Sequence, residues 1–476
     1  MDSLKDGGTF TITSHPWRYV DMPKSILILI CILGDLVQGS AGIEFTDDSV
    51  RIAYFQTDVT PVVGSPLAFG TVRRIQDSLS ARGIVWVFDE KPVVQVAIDW
   101  IGVANEGMDL FRIALARAAG TSEDRVVIHA LHQHDAVRCD LLTPRLLDRY
   151  YGSELYYDTV FLRETIDRIA GEVKSSLAHL QTVTDIGFGE AKVERVASNR
   201  RILGPHGRVE NMRWSRTENF LLRHEREGLI DPWLKKVTLY HKHQPLVSMS
   251  FYAVHPVTDF GDGIVSSEFV GLARKYQEMK RGYPQVYFTG AAGNIGVGKY
   301  NNLSEGIRFT LATRMSMAMD EALENEVRFQ VTKRDFLWKS TEVYLPLAEY
   351  VDRDQLEKIV KGELQDPDLP YLRAVSCMAW WDRVHRNPYI RISALHIGTV
   401  RLLSLPGEPF VEYQLEAQAM YPGLHVATAG YEEFGMGYIG TRKAYRQGGY
   451  ETSKMATMVG PEAEDAMIKG IRTVLK

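Results

Sequence analysis

The chain has 476 residues, and its 45% hydrophobic and 24% charged content is typical of a globular protein that can bury a sizeable core. This composition excludes disordered, collagen-like and coiled-coil proteins. The 55 Lys and Arg against 60 Asp and Glu leave a net charge of −5, which argues against a nucleic-acid partner, and three cysteines cannot build a disulfide framework. The length allows about two to four average domains or one unusually large domain.

The first feature in chain order is a predicted secretory signal peptide. It begins at Met22, carries Lys24 as its positive charge, continues as the apolar run at residues 25–33, and ends in the small residues 39–41. We therefore expect a secreted or periplasmic protein in which residues 1–41 are an upstream extension plus the signal. If the run is instead a buried strand or helix, the protein is cytoplasmic. The run is too short to span a bilayer, and no other segment could, so we expect no transmembrane anchor.

Strand-like and helix-like segments alternate along residues 42–476. The runs typical of buried strands are 93–98, 125–130, 247–254, 285–288 and 400–405, and the apolar residues at helical spacing lie within 108–118, 166–177, 269–276 and 307–322. Residues 340–390 are less regular, include a helical stretch at 352–360, and are interpreted as an insertion or lid. The pattern predicts an α/β protein with one large domain, in which mixed β-sheets are flanked by helices.

Three of the 13 histidines, His129, His132 and His134, fall at the end of the strand predicted over 125–130. Side chains alternate faces along a strand, so His132 and His134 are expected to share one face and His129 to point to the other. The paired imidazoles could converge on one metal, or one could bind it while the other takes a supporting role. The alternative is a polar strand end exposed to solvent. Zinc, for which imidazole is the commonest ligand, also needs ligands from elsewhere in the chain.

Two further ligand candidates lie at strand ends. His255 closes the strand predicted over 247–254, and Glu408 follows the strand at 400–405 after a Pro-Gly turn. Catalytic groups in α/β sheets gather at such edges. A core histidine and a solvated turn carboxylate are the alternatives for these two residues. Together, two histidines and a carboxylate would form the three-ligand pattern of a catalytic zinc site at the C-terminal ends of strands.

Six segments, taken in order, resemble the neutral (non-lysosomal) ceramidase family. They are TDVTPVVGSPLAFG at 57–70, LHQHDA at 131–136, FYAVHPVT at 251–258, FTGAAGNIG at 288–296, LPGEPF at 405–410 and GYIGTRKAYRQGGYE at 437–451. An ordered set of six segments is more specific than any one of them alone. The resemblance implies that family's fold and a zinc-dependent hydrolase in which activated water attacks an amide (N-acyl) bond.

The resemblance also implies a role for each residue that matches a motif. The implied zinc ligands are His132, His255, Glu408 and Tyr438. The implied catalytic residues are His134 beside the metal, Arg200 facing the substrate, and Tyr450 as a hydrogen-bond donor to the transition state. We expect His134 to protonate the leaving amine, and the substrate to be a small or lipid-like molecule.

Departures from the family pattern leave the substrate open. Gly296 stands where the ceramidases have a proposed active-site serine, and Asp135 and Ala136 replace the Ser-Gly-Pro that follows the histidines. The chain leaves no room for the family's C-terminal immunoglobulin-like domain, so we expect the catalytic domain alone, over residues 42–476. The alternatives are a small polar or carbohydrate-derived substrate on the same zinc fold, and a non-catalytic binding protein. An arginine-rich stretch at 199–216 favours an anionic or polar substrate if it borders the site.

Residues 293–299 also fit the phosphate-binding pattern G-x-x-x-x-G-K after a predicted strand. Tyr300 follows the lysine in place of the required Ser or Thr, and helical periodicity resumes only near Ile307. Because a phosphate loop needs its helix to begin at the lysine, we expect no nucleotide site here. We interpret the glycines as allowing the backbone to approach the metal pocket closely.

Overall fold

Strands and helices alternate along the described chain, which covers residues 48–152 and 156–476 of this computed structural model. The strands are β1 (Val50–Asp58), β2 (Arg74–Ile75), β3 (Ser80–Val87), β4 (Val93–Ile98), β5 (Gly102–Val103), β6 (Val126–Ala130), β7 (Arg138–Cys139), β8 (Gln181–Val183), β9 (Asp185–Lys192), β10 (Ser198–Asn199), β11 (Arg201–Leu203), β12 (Val209–Met212), β13 (Trp233–His241), β14 (Gln244–Tyr252), β15 (Ile264–Val265), β16 (Gln285–Thr289), β17 (Ile295–Gly296), β18 (Val327–Gln330), β19 (Phe336–Tyr344), β20 (Tyr389–Ile397), β21 (Val400–Ser404), β22 (Glu408–Pro409), β23 (His425–Ala429) and β24 (Tyr438–Ile439). The α-helices are α1 (Asn105–Ala119), α2 (Thr143–Tyr150), α3 (Thr159–Ser176), α4 (Phe220–His224), α5 (Glu268–Arg281), α6 (Ile307–Glu324), α7 (Arg353–Val360), α8 (Tyr371–Arg386), α9 (Val411–Met420), α10 (Arg442–Gln447) and α11 (Ala463–Leu475).

Three larger sheets organise these strands. Sheet A has the order β6-β4-β3-β1-β8, sheet B the order β16-β14-β13-β9-β18, and sheet C the order β19-β20-β21-β23. In each sheet one neighbouring pair is parallel, namely β4 with β6, β14 with β16, and β21 with β23, and the other pairs are antiparallel. The flanked mixed sheets confirm the predicted α/β fold class.

The predicted strands and helices are found where the apolar pattern places them. The run 93–98 is strand β4 and is buried along its whole length, which is why its sequence shows no alternation of polar and apolar residues. Helix α1 buries the face that carries Met108, Phe111 and Leu115. It ends at Gly120, whose φ of 67° is left-handed, a conformation that glycine adopts at little cost at helix ends.

Two hydrophobic clusters fill the interior. The first joins sheets A and B with helices α5 and α6, and includes Trp86, Ile186 and Phe269. The second surrounds sheet C with helices α8, α9 and α11, and includes Trp380 and Ile471. Helices α7 and α8 lie within the segment interpreted as an insertion or lid, and both contribute buried side chains to the second cluster.

The predicted signal peptide lies outside the described residues. Its start at Met22 and its end at residues 39–41 are therefore still sequence-based expectations, as are secretion and the upstream extension. Within the described ranges, none of the helices is long enough and apolar enough to cross a membrane.

Candidate metal centre and active-site cavity

His132 and His134 meet in the turn that follows strand β6. The strand ends at Ala130, and His132 has a φ of 77°, which is left-handed and uncommon for a residue with a side chain. The two rings stand perpendicular with centroids 5.0 Å apart. The expected convergence is therefore present, but its predicted cause was wrong, because a strained turn and not strand alternation brings these two histidines together.

His129 points into the interior between two sheets. Its Nδ1 is hydrogen-bonded to the Gly430 carbonyl, and its Nε2 accepts the backbone N–H of Thr289 at 3.0 Å. Burial lowers the pKa of His129 to about 3, so the ring is neutral. His129 is thus a core residue that ties strand β6 to strand β16.

His132 and His255 present the same ring nitrogen to a common point. The Nδ1–H of His132 donates to the Ile101 carbonyl at 2.6 Å, and the Nδ1–H of His255 donates to the Ala292 carbonyl at 2.7 Å. A carbonyl can only accept, so each bond fixes the tautomer and leaves the Nε2 lone pair free. Backbone hydrogen bonds of this kind orient metal-binding histidines in proteins.

Glu408 lies between the two histidines. Its Oε2 is 3.2 Å from the Nε2 of His132 and 3.2 Å from the Nε2 of His255. The short strand β22 pairs in parallel with β24, with Glu408 directly opposite Tyr438. The Tyr438 hydroxyl is 3.4 Å from the Nε2 of His255. All four residues that the sequence predicted as zinc ligands therefore converge.

The side chains of this cluster influence one another's protonation. Burial would raise the pKa of Glu408, but the adjacent imidazoles of His132 and His255 lower it well below its usual range. Burial, together with Arg200, lowers the pKa of His255 to about 4. Burial also raises the pKa of the Tyr438 phenol well above its usual range, although Arg200 opposes this shift. The Glu408 carboxylate is thus ionised and the His255 imidazole is neutral, the forms that bind a cation.

His134 completes the cluster and has unused hydrogen-bonding capacity. Its ligand nitrogen lies within 4.8 Å of those of His132 and His255. Phe69 and Phe260 pack against its ring, and its two nitrogens are shielded from solvent with no hydrogen-bond partner among the described residues. Buried polar atoms normally have partners, so this set of imidazole, carboxylate and phenol groups fits Zn²⁺.

Arg200 lies beside the cluster and is held by a carboxylate that the motif analysis did not single out. Its Nε donates to Glu451 at 2.9 Å, and Arg201 donates to the same carboxylate at 2.8 Å. The Arg200 guanidinium also lies 5.1 Å from the centre of the Tyr438 ring. Tyr450 approaches the ring of Tyr438 with centroids 5.8 Å apart. Arg200 and Tyr450, two of the three predicted catalytic residues, therefore both lie against Tyr438.

Most of the arginines in the stretch at 199–216 lie away from the candidate metal centre. Arg213 is buried and donates to backbone carbonyls, including that of Asn199 at 2.7 Å. Arg216 pairs with Asp259 at 2.7 Å, and Arg208 is exposed. This stretch consequently gives no support for an anionic substrate.

The glycine-rich segment at 293–299 packs beside Glu408 and does not have the geometry of a phosphate-binding loop. The backbone N–H of Gly293 donates to the Pro409 carbonyl at 2.8 Å, next to Glu408. Lys299 donates to the carbonyls of Arg223 and Glu225, and the next helix begins only at Ile307. A phosphate loop requires the helix at the lysine, so the expectation of no nucleotide site agrees with this geometry.

A cavity of about 310 Å³ opens onto the cluster. Aliphatic and aromatic side chains make up much of its wall, namely Leu67, Phe69, Ile101, Leu147, Tyr156, Tyr157, Leu372, Phe434, Met455 and Met458. Its polar lining residues are Asn105, His132, His134, Arg138, Asp140, Thr143, Arg373, Ser376, Glu408, Tyr438 and Tyr450. Gly296 is not among the residues that line this cavity.

Sequence reasoning overlooked several residues of the site. Tyr431 stacks on His132 with ring centroids 4.6 Å apart, and Arg138 and Arg373 line the cavity. None of these residues lies in a motif, and each is a single residue in an unremarkable segment. Glu451 alone had a signal, since it follows Tyr450 at the end of the last ceramidase-like segment.

Comparisons with known proteins agree with this architecture. No family model matches the sequence, and no curated protein sequence matches it. Among solved structures, the chain is similar to the neutral ceramidase from Pseudomonas aeruginosa, with a TM-score of 0.65, 18% identity, and coverage of 90% of this chain and 74% of that one. It is also similar to a ceramidase complexed with C2, with a TM-score of 0.65, 17% identity, and coverage of 90% and 75%. The chain therefore has a neutral ceramidase-like fold.

Proposed function

We propose that the protein is a zinc-dependent hydrolase that cleaves an amide (N-acyl) bond. The observation that carries this proposal is the convergence of His132, His255, Glu408 and Tyr438, three of which line one cavity, within a neutral ceramidase-like fold. The solved neighbours are named as ceramidases, and their likeness supports the fold on which this activity would rest. A cluster retained this completely argues against a protein that only binds a ligand.

The four converging residues would hold the metal. When bound, Zn²⁺ supplies a Lewis acid and lowers the pKa of water from 15.7 towards ~7. The substrate's acyl chain would lie along the apolar part of the cavity, with its carbonyl near the cluster. Because the wall is largely aliphatic and aromatic, it favours an acyl chain over a small polar or carbohydrate-derived substrate.

Arg200 and Tyr450 are the proposed donors to the oxyanion that develops on the carbonyl. Glu451 holds the Arg200 guanidinium in place, so that little reorganisation is needed when the charge appears. A preorganised donor of this kind typically lowers the barrier by roughly 3–4 kcal/mol. His134, whose nitrogens have no other partner in the described part of the chain, is the proposed proton donor to the leaving amine.

The test combines metal content with hydrolysis of an N-acyl amide. Wild-type protein should hold zinc and release fatty acid from the amide, whereas His132→Ala and Glu408→Ala should lose both properties. The exposed residue His206 offers a matched control, since His206→Ala should change neither zinc content nor rate. Full activity in zinc-free Glu408→Ala protein would contradict the proposal.

His134 needs a separate measurement because it is near enough to bind the metal itself. If it is the proton donor, His134→Ala should keep its zinc and lose about 10²–10⁴-fold in kcat. Loss of zinc in this variant would instead make His134 a ligand and would require another proton donor.

A further inference from the structure

Two arginines in the cavity wall have no carboxylate partner in the part of the chain that the structure describes. Arg138 and Arg373 line the same cavity as His132 and Glu408, and neither forms an ion pair with an acidic side chain of the described residues. Several other arginines of the described chain pair with carboxylates, as Arg200 does with Glu451, whereas the buried Arg213 is held by backbone carbonyls. Arg138 and Arg373 differ from Arg213 in that they line the cavity.

Arg138 lies in strand β7, which pairs in parallel with β5, and its side chain lines the cavity. The side chain is half-buried, and its Nε is shielded from solvent without a hydrogen-bond partner in the described part of the chain. Its guanidinium contacts the hydroxyl of Tyr157, another cavity residue. A neutral phenol satisfies one donor and leaves the positive charge uncompensated.

Arg373 lies in the first turn of helix α8 and is anchored by backbone carbonyls. Its Nε donates to the carbonyl of Lys454 at 3.0 Å, and one terminal nitrogen donates to the carbonyl of Thr457 at 3.0 Å. These bonds fix the orientation of the planar guanidinium. Carbonyls carry no net charge, so Arg373 also retains its positive charge within the cavity wall.

The two acidic residues that line the cavity are already engaged. Asp140 accepts the side-chain amide of Asn105, the hydroxyl of Thr143 and the backbone N–H of Leu142 at 2.8 Å. Glu408 lies between the imidazoles of the proposed metal centre. Neither carboxylate forms an ion pair with Arg138 or Arg373.

An unpaired charge in a partly apolar cavity is costly unless a ligand supplies the opposite charge. We propose that the substrate is an N-acyl amide with an anionic head, as in an N-acyl amino acid, and that Arg138 and Arg373 bind the anion. This inference rests on the proposed amide hydrolysis and adds the substrate class. Guanidinium groups suit an anionic head group because they bind carboxylates, and other oxyanions, through two parallel hydrogen bonds.

The reaction is a simple hydrolysis. Water forms a new C–O bond at the acyl carbon, the C–N bond breaks, and the water's proton passes to the leaving nitrogen. The products are a fatty carboxylate and an amino acid whose own carboxylate still faces the arginines. No oxidant, reductant or second substrate is needed.

The experiment compares three amides that share a lauroyl chain. N-lauroylglycine carries a carboxylate, N-lauroyltaurine carries a sulfonate, and N-lauroylethanolamine is neutral. Binding is measured by calorimetry and turnover by released laurate, for the wild type and for Arg138→Gln, Arg373→Gln and Arg208→Gln. We expect the wild type to bind and cleave N-lauroylglycine about 10- to 100-fold better than N-lauroylethanolamine, the range for hydrogen bonds to a charged group.

The arginine variants test whether Arg138 and Arg373 cause the preference for the anionic amide. Arg138→Gln and Arg373→Gln should each lose most of the preference for the anion, and Arg208→Gln, at an exposed position, should retain both the preference and the wild-type rate. Arg138→Lys and Arg373→Lys should recover the preference in part, with unchanged thermal unfolding as the check on folding. Comparison of N-lauroylglycine with N-lauroyltaurine shows whether the site prefers a carboxylate or a sulfonate.

The outcomes separate the two proposals. Equal binding of the neutral and anionic amides by the wild type overturns the anionic substrate class, whether or not turnover occurs. Selective, arginine-dependent binding of the anionic amides without turnover supports the anion site and overturns amide hydrolysis. Preference for the anion that survives both glutamine substitutions also overturns the role given to Arg138 and Arg373.

Discussion

Glu451 is the shared ion-pair partner of Arg200 and Arg201, which lie beside the candidate metal centre. Its side chain is fully buried and accepts from Arg200 at 2.9 Å and from Arg201 at 2.8 Å, and both guanidiniums are themselves almost completely buried. A buried ion pair contributes little relative to apolar packing, but loss of one partner leaves the other charge without compensation. Position 451 is therefore far more sensitive to substitution than an exposed carboxylate.

We expect Glu451→Ala to lower the free energy of unfolding by about 3–5 kcal/mol, the usual cost of breaking a buried pair. Urea denaturation of both proteins measures the difference. The control is Glu218→Ala, because Glu218 is 78% exposed and lies no closer than 4.0 Å to its partner Arg216. Its loss should change the free energy of unfolding by only about 0–1 kcal/mol. Equal stability of wild type and Glu451→Ala would show that the buried arginines are not held as described.

At the residue scale, an ordered motif is what makes a site residue visible in the sequence. His132, His255, Glu408 and Tyr438 each lie in a ceramidase-like segment, and the structure brings all four together, while their role as zinc ligands stays a prediction. Arg138 and Arg373 could not be predicted, because what sets them apart is that neither has a carboxylate partner within residues 48–152 and 156–476. That property depends on the folded cavity and leaves no trace in local sequence.

Among the elements, the short strand β22 sets the position of Glu408. Gly293, in the loop after β16, packs directly against it: a Cβ at this position would lie 2.4 Å from the Glu408 carbonyl oxygen and 3.0 Å from that of Pro409. These are backbone atoms that cannot move aside without displacing the strand. Glycine at 293 is thus required by close approach of two segments that carry the site.

We expect Gly293→Ala to displace β22, to cost about 1–3 kcal/mol of stability, and to weaken zinc binding. Gly296→Ser is a matched control three residues away, since a Cβ there has Ser215 Oγ at 3.8 Å as its nearest neighbour. That control should change stability less than Gly293→Ala does, because no backbone atom lies within 4 Å of the added Cβ. Thermal unfolding and zinc titration of both variants measure the effects, and a harmless Gly293→Ala would contradict the packing role.

Long elements were predictable, and the shortest ones were not. Buried strands such as Val93–Ile98 and the amphipathic helix Ile307–Glu324 carry enough residues to show an apolar pattern. The two-residue strands Glu408–Pro409 and Tyr438–Ile439 are too short to show any periodicity. Their pairing, which aligns Glu408 with Tyr438, arises from contacts between distant segments.

On the scale of the whole molecule, the candidate metal centre lies where the two hydrophobic clusters meet. His132 follows Leu131 and His255 follows Val254, both members of the first cluster. Tyr438 belongs to the second cluster. A metal bound by these residues would join the two halves of the core, and it would bind the folded chain in preference to the unfolded one.

Metal binding should therefore raise the free energy of unfolding of the whole folded chain. At a free zinc concentration 1,000 times its Kd, binding contributes about 4 kcal/mol. We expect chelation to lower the Tm of wild-type protein by several degrees, and zinc to restore it. His255→Ala should already have the lower Tm and should not respond to the chelator. A wild-type Tm that is indifferent to chelation would contradict a zinc centre that spans the two clusters.

The most direct measurement is a zinc-edge anomalous difference map from crystals of the protein as purified. The proposed centre predicts a single strong peak at about 2.0–2.2 Å from the Nε2 atoms of His132 and His255 and from the Glu408 carboxylate, with the Tyr438 hydroxyl beside it. The map would contradict the proposal if it showed no peak among these side chains, or a zinc ion bound by other residues instead.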